Sequence, residues 1–227
     1  GIGTYTASGG WVYLYDDASA DYAFLRTLRI PWSAYNSANG STRPAAGDVD
    51  GDGRDELVVG LGTYPGQGGW SAVYDDAAGG WAFRQWIRID WSAYNTANGD
   101  VRPACGNLDG DAAEEIVLGL GRYTTGGGYA RIVDDAGTSY AKRGWARANW
   151  STYNSANGEV RPAVGDVDGD GRGEIVLGLG TTSVTGGWVY VAGDASRNYG
   201  GVRWVRADDS AYDVANGETW PAVGRVR

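Results

Sequence analysis

Residues 166–177 have the sequence DVDGDGRGEIVL, in which acids at positions one, three, five and nine precede an apolar run. Calcium takes about six to eight oxygen ligands, and a tight turn with acids at this spacing can wrap them around one cation. Glycine at position six allows the sharp bend, and position seven offers its main-chain carbonyl. The spacing therefore predicts a calcium loop, whose ligands are Asp166, Asp168, Asp170, the Arg172 carbonyl and Glu174.

The same nine positions recur twice earlier in the chain, as DVDGDGRDE at residues 48–56 and as NLDGDAAEE at residues 107–115. In the middle copy Asn107 removes one charge and Ala112 replaces the glycine of the bend, which predicts a weaker site. The predicted ligands of the first copy are Asp48, Asp50, Asp52, Arg54 (carbonyl) and Glu56, and those of the middle copy are Asn107, Asp109, Asp111, Ala113 (carbonyl) and Glu115.

A constant step relates these copies. An aromatic residue follows two glycines at Trp11, Trp70, Tyr129 and Trp188, and 70 − 11, 129 − 70 and 188 − 129 all equal 59. A Trp-Ser-Ala-Tyr-Asn marker beginning at Trp32 keeps the same step. We therefore expect residues 1–227 to form a single domain of four repeat units, at about 1–47, 48–106, 107–165 and 166–224.

Within a unit the pattern is that of strands. Residues 161–165 and 174–180 flank the acidic loop as a predicted hairpin, and residues 187–192 and 201–207 supply two further strands. No segment carries a helical period. Four antiparallel strands per unit, close turns and a period near sixty predict an all-β fold, a β-propeller of four four-stranded blades of about 59 residues.

The two ends of the chain fall within the same unit. Adding 59 to Asp166 and Asp168 gives Arg225 and Arg227, and Gly1 corresponds to Gly178. We therefore expect the ends to meet in one blade and to close a four-bladed ring. A homodimer that builds an eight-bladed ring, or a longer array of which this is a piece, remains an alternative.

The loops followed by an apolar run ending in Gly-Leu-Gly resemble the calcium-binding repeats of integrin-type propellers, the FG-GAP or VCBS class. The resemblance covers essentially the whole chain. It implies bound Ca²⁺ in hairpin loops at one face of a propeller, an extracellular setting, and roles in adhesion, in lectins or in polysaccharide-acting proteins. The family is typically seven-bladed, whereas only four units are present here.

Composition excludes several classes of function. The net charge is −9 without a basic cluster, which argues against nucleic acid and anionic membrane surfaces as partners. Membrane insertion is not expected because no long apolar segment exists. The lone Cys105 has Ala46 and Val164 as counterparts and is predicted to be a core residue. Histidine is absent, so the usual zinc sites and nucleophilic triads are excluded, and we predict that the protein is not an enzyme.

The segment that joins one unit to the next, WSTYNSANGEVRP at residues 150–162, predicts a repeated sugar site. Aromatic rings stack on a pyranose, while Asn, Glu and Arg hydrogen-bond its hydroxyls. Alternatively, Asn-Gly is a turn, the aromatic rings fill the space between blades, and the arginines pair with the acidic loops. The candidate ligand-binding residues are Trp32, Tyr35, Asn36, Asn39, Arg43, Trp91, Tyr94, Asn95, Asn98, Arg102, Trp150, Tyr153, Asn154, Asn157, Glu159 and Arg161.

Aspartate pairs at 16–17, 75–76 and 134–135 end predicted strands and are interpreted as turn residues, not as catalytic carboxylates. The sequence thus favours a secreted, calcium-stabilised propeller that binds carbohydrate at several equivalent sites. The alternatives are a structural or adhesive module whose partner is an extracellular protein, and a polysaccharide-active enzyme that uses only acids.

Overall fold

Strands separated by short turns make up most of the chain. A computed structural model describes residues 1–182 and 185–224. The strands of the described residues are β1 (Trp11–Tyr15), β2 (Phe24–Arg29), β3 (Thr42–Gly47), β4 (Glu56–Leu61), β5 (Trp70–Tyr74), β6 (Phe83–Arg88), β7 (Val101–Gly106), β8 (Glu115–Leu120), β9 (Tyr129–Val133), β10 (Lys142–Arg147), β11 (Val160–Gly165), β12 (Glu174–Leu179), β13 (Trp188–Ala192) and β14 (Gly201–Arg206).

These strands form four antiparallel sheets in chain order. Sheet 1 contains β1 and β2, and the three four-stranded sheets contain β3–β6 (sheet 2), β7–β10 (sheet 3) and β11–β14 (sheet 4). Each strand pairs with its neighbour in sequence, as expected of a blade built from successive hairpins. The predicted all-β repeat of four-stranded sheets is confirmed, and the predicted strands 161–165 and 174–180 differ from β11 and β12 by one residue.

The expectation that no segment is helical is wrong. Within the described residues, four six-residue helices lie in the Trp-Ser-Ala-Tyr-Asn segments and their altered copies, at α1 (Ser33–Ala38), α2 (Ser92–Ala97), α3 (Ser151–Ala156) and α4 (Ser210–Ala215), and two 3-10 turns lie at Ala18–Ala20 and Ala195–Arg197. Six residues make less than two turns, too few to show a 3.6-residue period in the sequence. Within the described ranges, none of these helices has the length and apolarity needed to cross a membrane.

The hydrophobic core lies between successive sheets. All six residues of β4 are buried, as are those of β8 and β12. Side chains alternate along a strand, so Leu57 and Val59 pack with sheet 1 side chains such as Val12, whereas Val58 packs with sheet 3 residues such as Ile116. Each interior sheet therefore buries both faces, as propeller blades do.

The outward faces of the first and last sheets are exposed. Tyr15 of sheet 1 is 60% exposed and Val205 of sheet 4 is 47% exposed. Among the described residues, no hydrogen bond joins residues 1–41 to residues 200–224. Ring closure, the meeting of the two ends in one blade and the homodimer stay predictions, and Arg225 and Arg227 lie outside the described residues.

Candidate cation loops and aromatic pockets

The three acidic segments occupy equivalent hairpin turns. The first loop (residues 48–56) joins β3 to β4, the second loop (residues 107–115) joins β7 to β8, and the third loop (residues 166–174) joins β11 to β12. The strand register pairs Gly47 with Glu56 at the base of the first hairpin. Position nine is therefore the first residue of a strand, with its carboxylate held under the loop.

Loop backbone amides surround the carboxylate at position one. Asp48 Oδ1 accepts from the Gly51 and Asp52 N–H groups at 2.8 and 3.0 Å, and Asp48 Oδ2 accepts from the Gly53 N–H at 2.9 Å. Gly51 and Gly53 have φ of 77° and 89°, a region that favours glycine. Asp166 in the third loop accepts from the Gly169 and Gly171 N–H groups, which correspond to those of Gly51 and Gly53, so the two loops share these contacts.

The glutamate at position nine adds a buried carboxylate to the loop, and one of its two oxygens accepts hydrogen bonds. Glu56 is 2% exposed, its Oε2 accepts from the Val49 and Asp50 N–H groups, and its Oε1 is buried with no hydrogen-bond partner in the part of the chain that the structure describes. Carboxylate oxygens of Asp48, Asp50 and Glu56 lie within 4.8 Å of one another. Glu115 and Glu174 repeat the unpartnered Oε1. A buried carboxylate without a counter-charge is costly, so this donor set fits a hard cation.

The electrostatics of the loop carboxylates agree with this interpretation. Burial, helped by the Asp50 charge, raises the pKa of Glu56 to about 7. Burial also raises the pKa of Glu115 to about 7 and that of Glu174 above its ordinary value. A cation among these oxygens would favour the charged carboxylates, since it replaces repulsion by attraction.

The second loop departs from the other two. Asn107 turns its amide onto the loop, where Nδ2 donates to the Asp111 carbonyl and Oδ1 accepts from the Gly110 N–H. The nearby acids here include two from outside the loop, since oxygens of Asp134 and Asp135 lie within 4.8 Å of those of Glu115 and a loop aspartate. The sequence interpretation placed these aspartates in a turn and missed their proximity to the loop.

Position seven is placed as the turn requires. The N–H groups of Arg54, Arg172 and Ala113 each donate at 2.9 Å to the aspartate two residues earlier. Their carbonyl groups as cation ligands stay a prediction.

Successive loops are joined in series by main-chain hydrogen bonds. The Glu114 N–H of the second loop donates to the Asp48 carbonyl of the first at 2.8 Å, and the Gly173 N–H of the third donates to the Asn107 carbonyl of the second at 2.6 Å. Position eight of one loop is thus bonded to position one of the loop before it. The three candidate cation sites lie in one row at the same edge of neighbouring sheets.

Seven of the 16 predicted sugar-binding residues are buried, and the other nine are partly exposed. In α1, α2 and α3 a buried tyrosine and asparagine bond to the main chain: the Tyr94 hydroxyl donates to the Asp100 carbonyl and accepts from the Gly121 N–H, and Asn95 Nδ2 donates to the Ile89 carbonyl. The same contacts are made by Tyr35, Asn36, Tyr153 and Asn154. These side chains fasten the three helices to the neighbouring strands.

Replacing Tyr94 by phenylalanine is expected to destabilise the protein by about 1–3 kcal/mol, because buried main-chain groups lose their hydroxyl partner. Tyr123→Phe is the matched control: the Tyr123 ring packs on Trp91 and Tyr94, and its hydroxyl makes no hydrogen bond within the described ranges. Urea denaturation of both variants provides the measurement. Equal losses of stability would contradict the role given to the Tyr94 hydroxyl.

The next asparagine of each segment also serves the main chain. Asn98 Oδ1 accepts from the Asp100 N–H and Asn98 Nδ2 donates to the Arg122 carbonyl, while Asn39 and Asn157 do the same in their units. The predicted ligand residues at these positions therefore hold two loops together.

The predicted arginines pair with acids of the following unit. Arg43 lies 2.6 Å from Asp100, Arg102 lies 3.2 Å from Glu159, and Arg161 lies 3.1 Å from Glu218. The alternative in which these arginines pair with the acidic loops is wrong, because their partner acids Asp100, Glu159 and Glu218 lie outside residues 48–56, 107–115 and 166–174. Glu159, also a predicted ligand residue, is one of these partner acids.

The predicted tryptophans form open aromatic clusters with residues that the sequence interpretation did not select. Trp32 meets Trp70 and Trp86 with ring centroids 5.9–6.3 Å apart and interplanar angles of 75–85°. This first triad recurs at the 59-residue step as the second triad (Trp91, Tyr129 and Trp145) and the third triad (Trp150, Trp188 and Trp204). The step separating Trp86, Trp145 and Trp204 was the signal that could have found them.

Two of the triads line surface cavities. The first triad, with Pro31, Gln67 and Arg88, surrounds about 380 Å³. The third surrounds about 330 Å³. Arg88 lies 4.8 Å from the Trp70 ring centroid, and Arg147 and Arg206 repeat this contact in the other triads. Each triad thus combines partly exposed aromatic rings with a guanidinium.

Sheets of this order, with acidic hairpin loops in register, define a propeller-like repeat protein. Residues 42–74, which span β3, the first loop, β4 and β5, match the family model for the FG-GAP repeat. Residues 42–74 therefore form an FG-GAP repeat, which supports a module of the protein-interaction or adhesion type. No curated protein matches the chain.

Proposed function

We propose that the chain is an extracellular, non-catalytic module that binds carbohydrate through its aromatic triads and is stabilised by calcium in its cation loops. The observation that carries the carbohydrate part is the cavity at Trp32, Trp70 and Trp86. Its volume suits a small ligand, indole faces stack on the apolar face of a pyranose, and Arg88 supplies donors for hydroxyl groups.

Repetition gives the triads an advantage for glycan recognition. The three triads follow one another at a fixed step on a row of packed sheets. A shallow aromatic site binds a single sugar weakly, whereas several sites at fixed spacing bind a branched or repeated glycan with high avidity. Because the triads occupy the same position in successive units, the array follows directly from the repeat.

The calcium part rests on the loops. Each loop brings several acidic side chains together. The Oε1 atoms of Glu56, Glu115 and Glu174 have no hydrogen-bond partner among the described residues and are available as cation ligands. An all-oxygen donor set favours calcium over transition metals, and calcium over magnesium, which keeps several waters. Extracellular calcium modules work at high calcium concentration, which agrees with the proposed location.

Trp70→Ala is expected to weaken glycan binding at the first triad about tenfold, the effect of removing an aromatic residue that contributes 1–2 kcal/mol. Trp11→Ala is the matched control. Trp11 occupies the same repeat position and makes the same indole-to-carbonyl hydrogen bond, but Thr27 stands at the position of Trp86. A glycan array in calcium buffer selects the sugar, and calorimetry compares the two variants with wild type.

Two outcomes would contradict the carbohydrate part. Folded wild-type protein that binds no glycan would remove it and leave a module whose partner is a protein. Equal weakening by Trp11→Ala and Trp70→Ala would locate the sugar away from the triads.

A further inference from the structure

In each four-stranded sheet, an aspartate lies in the turn that follows the third strand. Asp76, Asp135 and Asp194 occupy this position, at the 59-residue step. One oxygen of each serves the turn: Asp76 Oδ1 accepts from the Gly79 N–H at 2.7 Å, Asp135 Oδ1 from the Thr138 N–H at 3.0 Å, and Asp194 Oδ1 from the Arg197 N–H at 3.1 Å. The turn therefore uses one of the two oxygens of each carboxylate.

The second oxygen is unused in two of the three. Asp76 is 4% exposed and Asp194 is fully buried, and among the described residues the Oδ2 atom of each has no hydrogen-bond partner. The nearest cationic group to Asp76 Oδ2 is Arg54 Nη1 at 3.7 Å, beyond hydrogen-bond distance. A turn alone does not require a second, buried and unpaired carboxylate oxygen, because leaving one costs free energy.

Two of these carboxylates, those of Asp76 and Asp135, lie against the loop acids, and Asp194 holds the corresponding position in the next sheet. Oxygens of Asp76, Asp52 and Glu56 lie within 4.8 Å of one another, and so do oxygens of Asp135, Asp111 and Glu115. Two oxygens bound to one calcium at about 2.3–2.6 Å are separated by no more than about 5 Å. Glu56 belongs also to the group with Asp48 and Asp50, so one position-nine glutamate connects loop and turn.

We propose that Asp76, Asp135 and Asp194 supply a further calcium ligand from outside the loop, through the oxygen that the turn leaves free. Each cation would then connect the hairpin between the first two strands of a sheet to the turn between its last two. The inference rests on the proposed calcium binding. It adds one negative charge to each site and makes the whole edge of the sheet, and not the nine-residue loop alone, the binding unit.

The test is calcium titration of Asp76→Asn and Asp194→Asn by isothermal titration calorimetry. Asparagine keeps the Oδ1 acceptor of the turn and removes the charge and the free carboxylate oxygen. Each variant is expected to weaken one calcium site about tenfold to a hundredfold and to leave the others unchanged. Asp17→Asn is the matched control, because Asp17 occupies the same repeat position in an exposed turn whose Oδ1 accepts from Ser19.

Terbium luminescence gives a second measurement that does not depend on affinity. Loss of a protein oxygen is expected to add about one water to the bound terbium, and this shortens the lifetime in water relative to deuterium oxide. Wild-type affinity and hydration in both variants would overturn the inference and leave loop calcium intact. Wild type that takes up no calcium would overturn the proposed calcium binding instead. An equal loss in Asp17→Asn would show a general effect of the turn.

Discussion

Chelation of calcium is expected to lower the melting temperature by roughly 5–10 °C for each occupied loop. A ligand present at about 100 times its dissociation constant adds about 2.7 kcal/mol to folding stability, and each kcal/mol shifts Tm by roughly 2–4 °C at this chain length. The physical reason is the packing of acids in each loop, where the buried oxygens of Glu56 and Glu174 lack a partner until a cation binds.

Differential scanning calorimetry with calcium, with chelator and with added magnesium measures this effect. Glu56→Gln should remove the calcium-dependent increase in melting temperature that the first loop contributes. It should keep the increase that the third loop contributes, because residues 166–174 are unchanged. Magnesium should restore little, since it rarely accepts an all-protein set of ligands. A melting temperature that is the same with calcium and with chelator would contradict the role given to the loops.

Gly69→Ala is expected to destabilise the protein by about 2–5 kcal/mol. Gly69 has φ of +86°, where an added Cβ costs about 1–2 kcal/mol. That Cβ would also overlap the Asn95 side-chain amide, which donates to the Ile89 carbonyl and cannot move without losing this bond. Overpacking of this kind adds about 1–3 kcal/mol.

The chain offers a control that separates the two contributions. Gly66 has φ of +83°, and an added Cβ there meets no atom within 4 Å. Gly66→Ala should therefore show the backbone cost alone. Urea denaturation of both variants gives the difference, and a Gly69→Ala variant no less stable than Gly66→Ala would show that Asn95 yields to the methyl group.

The strands and acidic loops could be predicted because their requirements are local. Ligand spacing within residues 166–174 and the apolar run of β12 are properties of adjacent residues. The 59-residue step then extended the loop prediction and the strand prediction to the other units. The short helices could not be found in this way, since six residues show no period.

The predicted sugar site combined residues that bond to the main chain with residues of the aromatic triads, because the sequence does not say which partner a polar side chain contacts. Tyr94 and Asn95 have the hydrogen-bonding groups that a hydroxylated ligand would need, but the main chain uses them. Trp91 is close to Tyr129 and Trp145 only because α2 packs against the following sheet. Contacts between units depend on how sheets stack, which a repeat period does not reveal.

The row of hydrogen bonds between loops has a consequence for fluctuations of the native state. When the first loop opens, the Asp48 carbonyl leaves the Glu114 amide, and the neighbouring hairpin loses an anchor in turn. Opening is then cooperative along the row, as in one-dimensional arrays with nearest-neighbour coupling. Hydrogen exchange at the Glu114 and Gly173 amides would therefore report whether the preceding loop is open or closed.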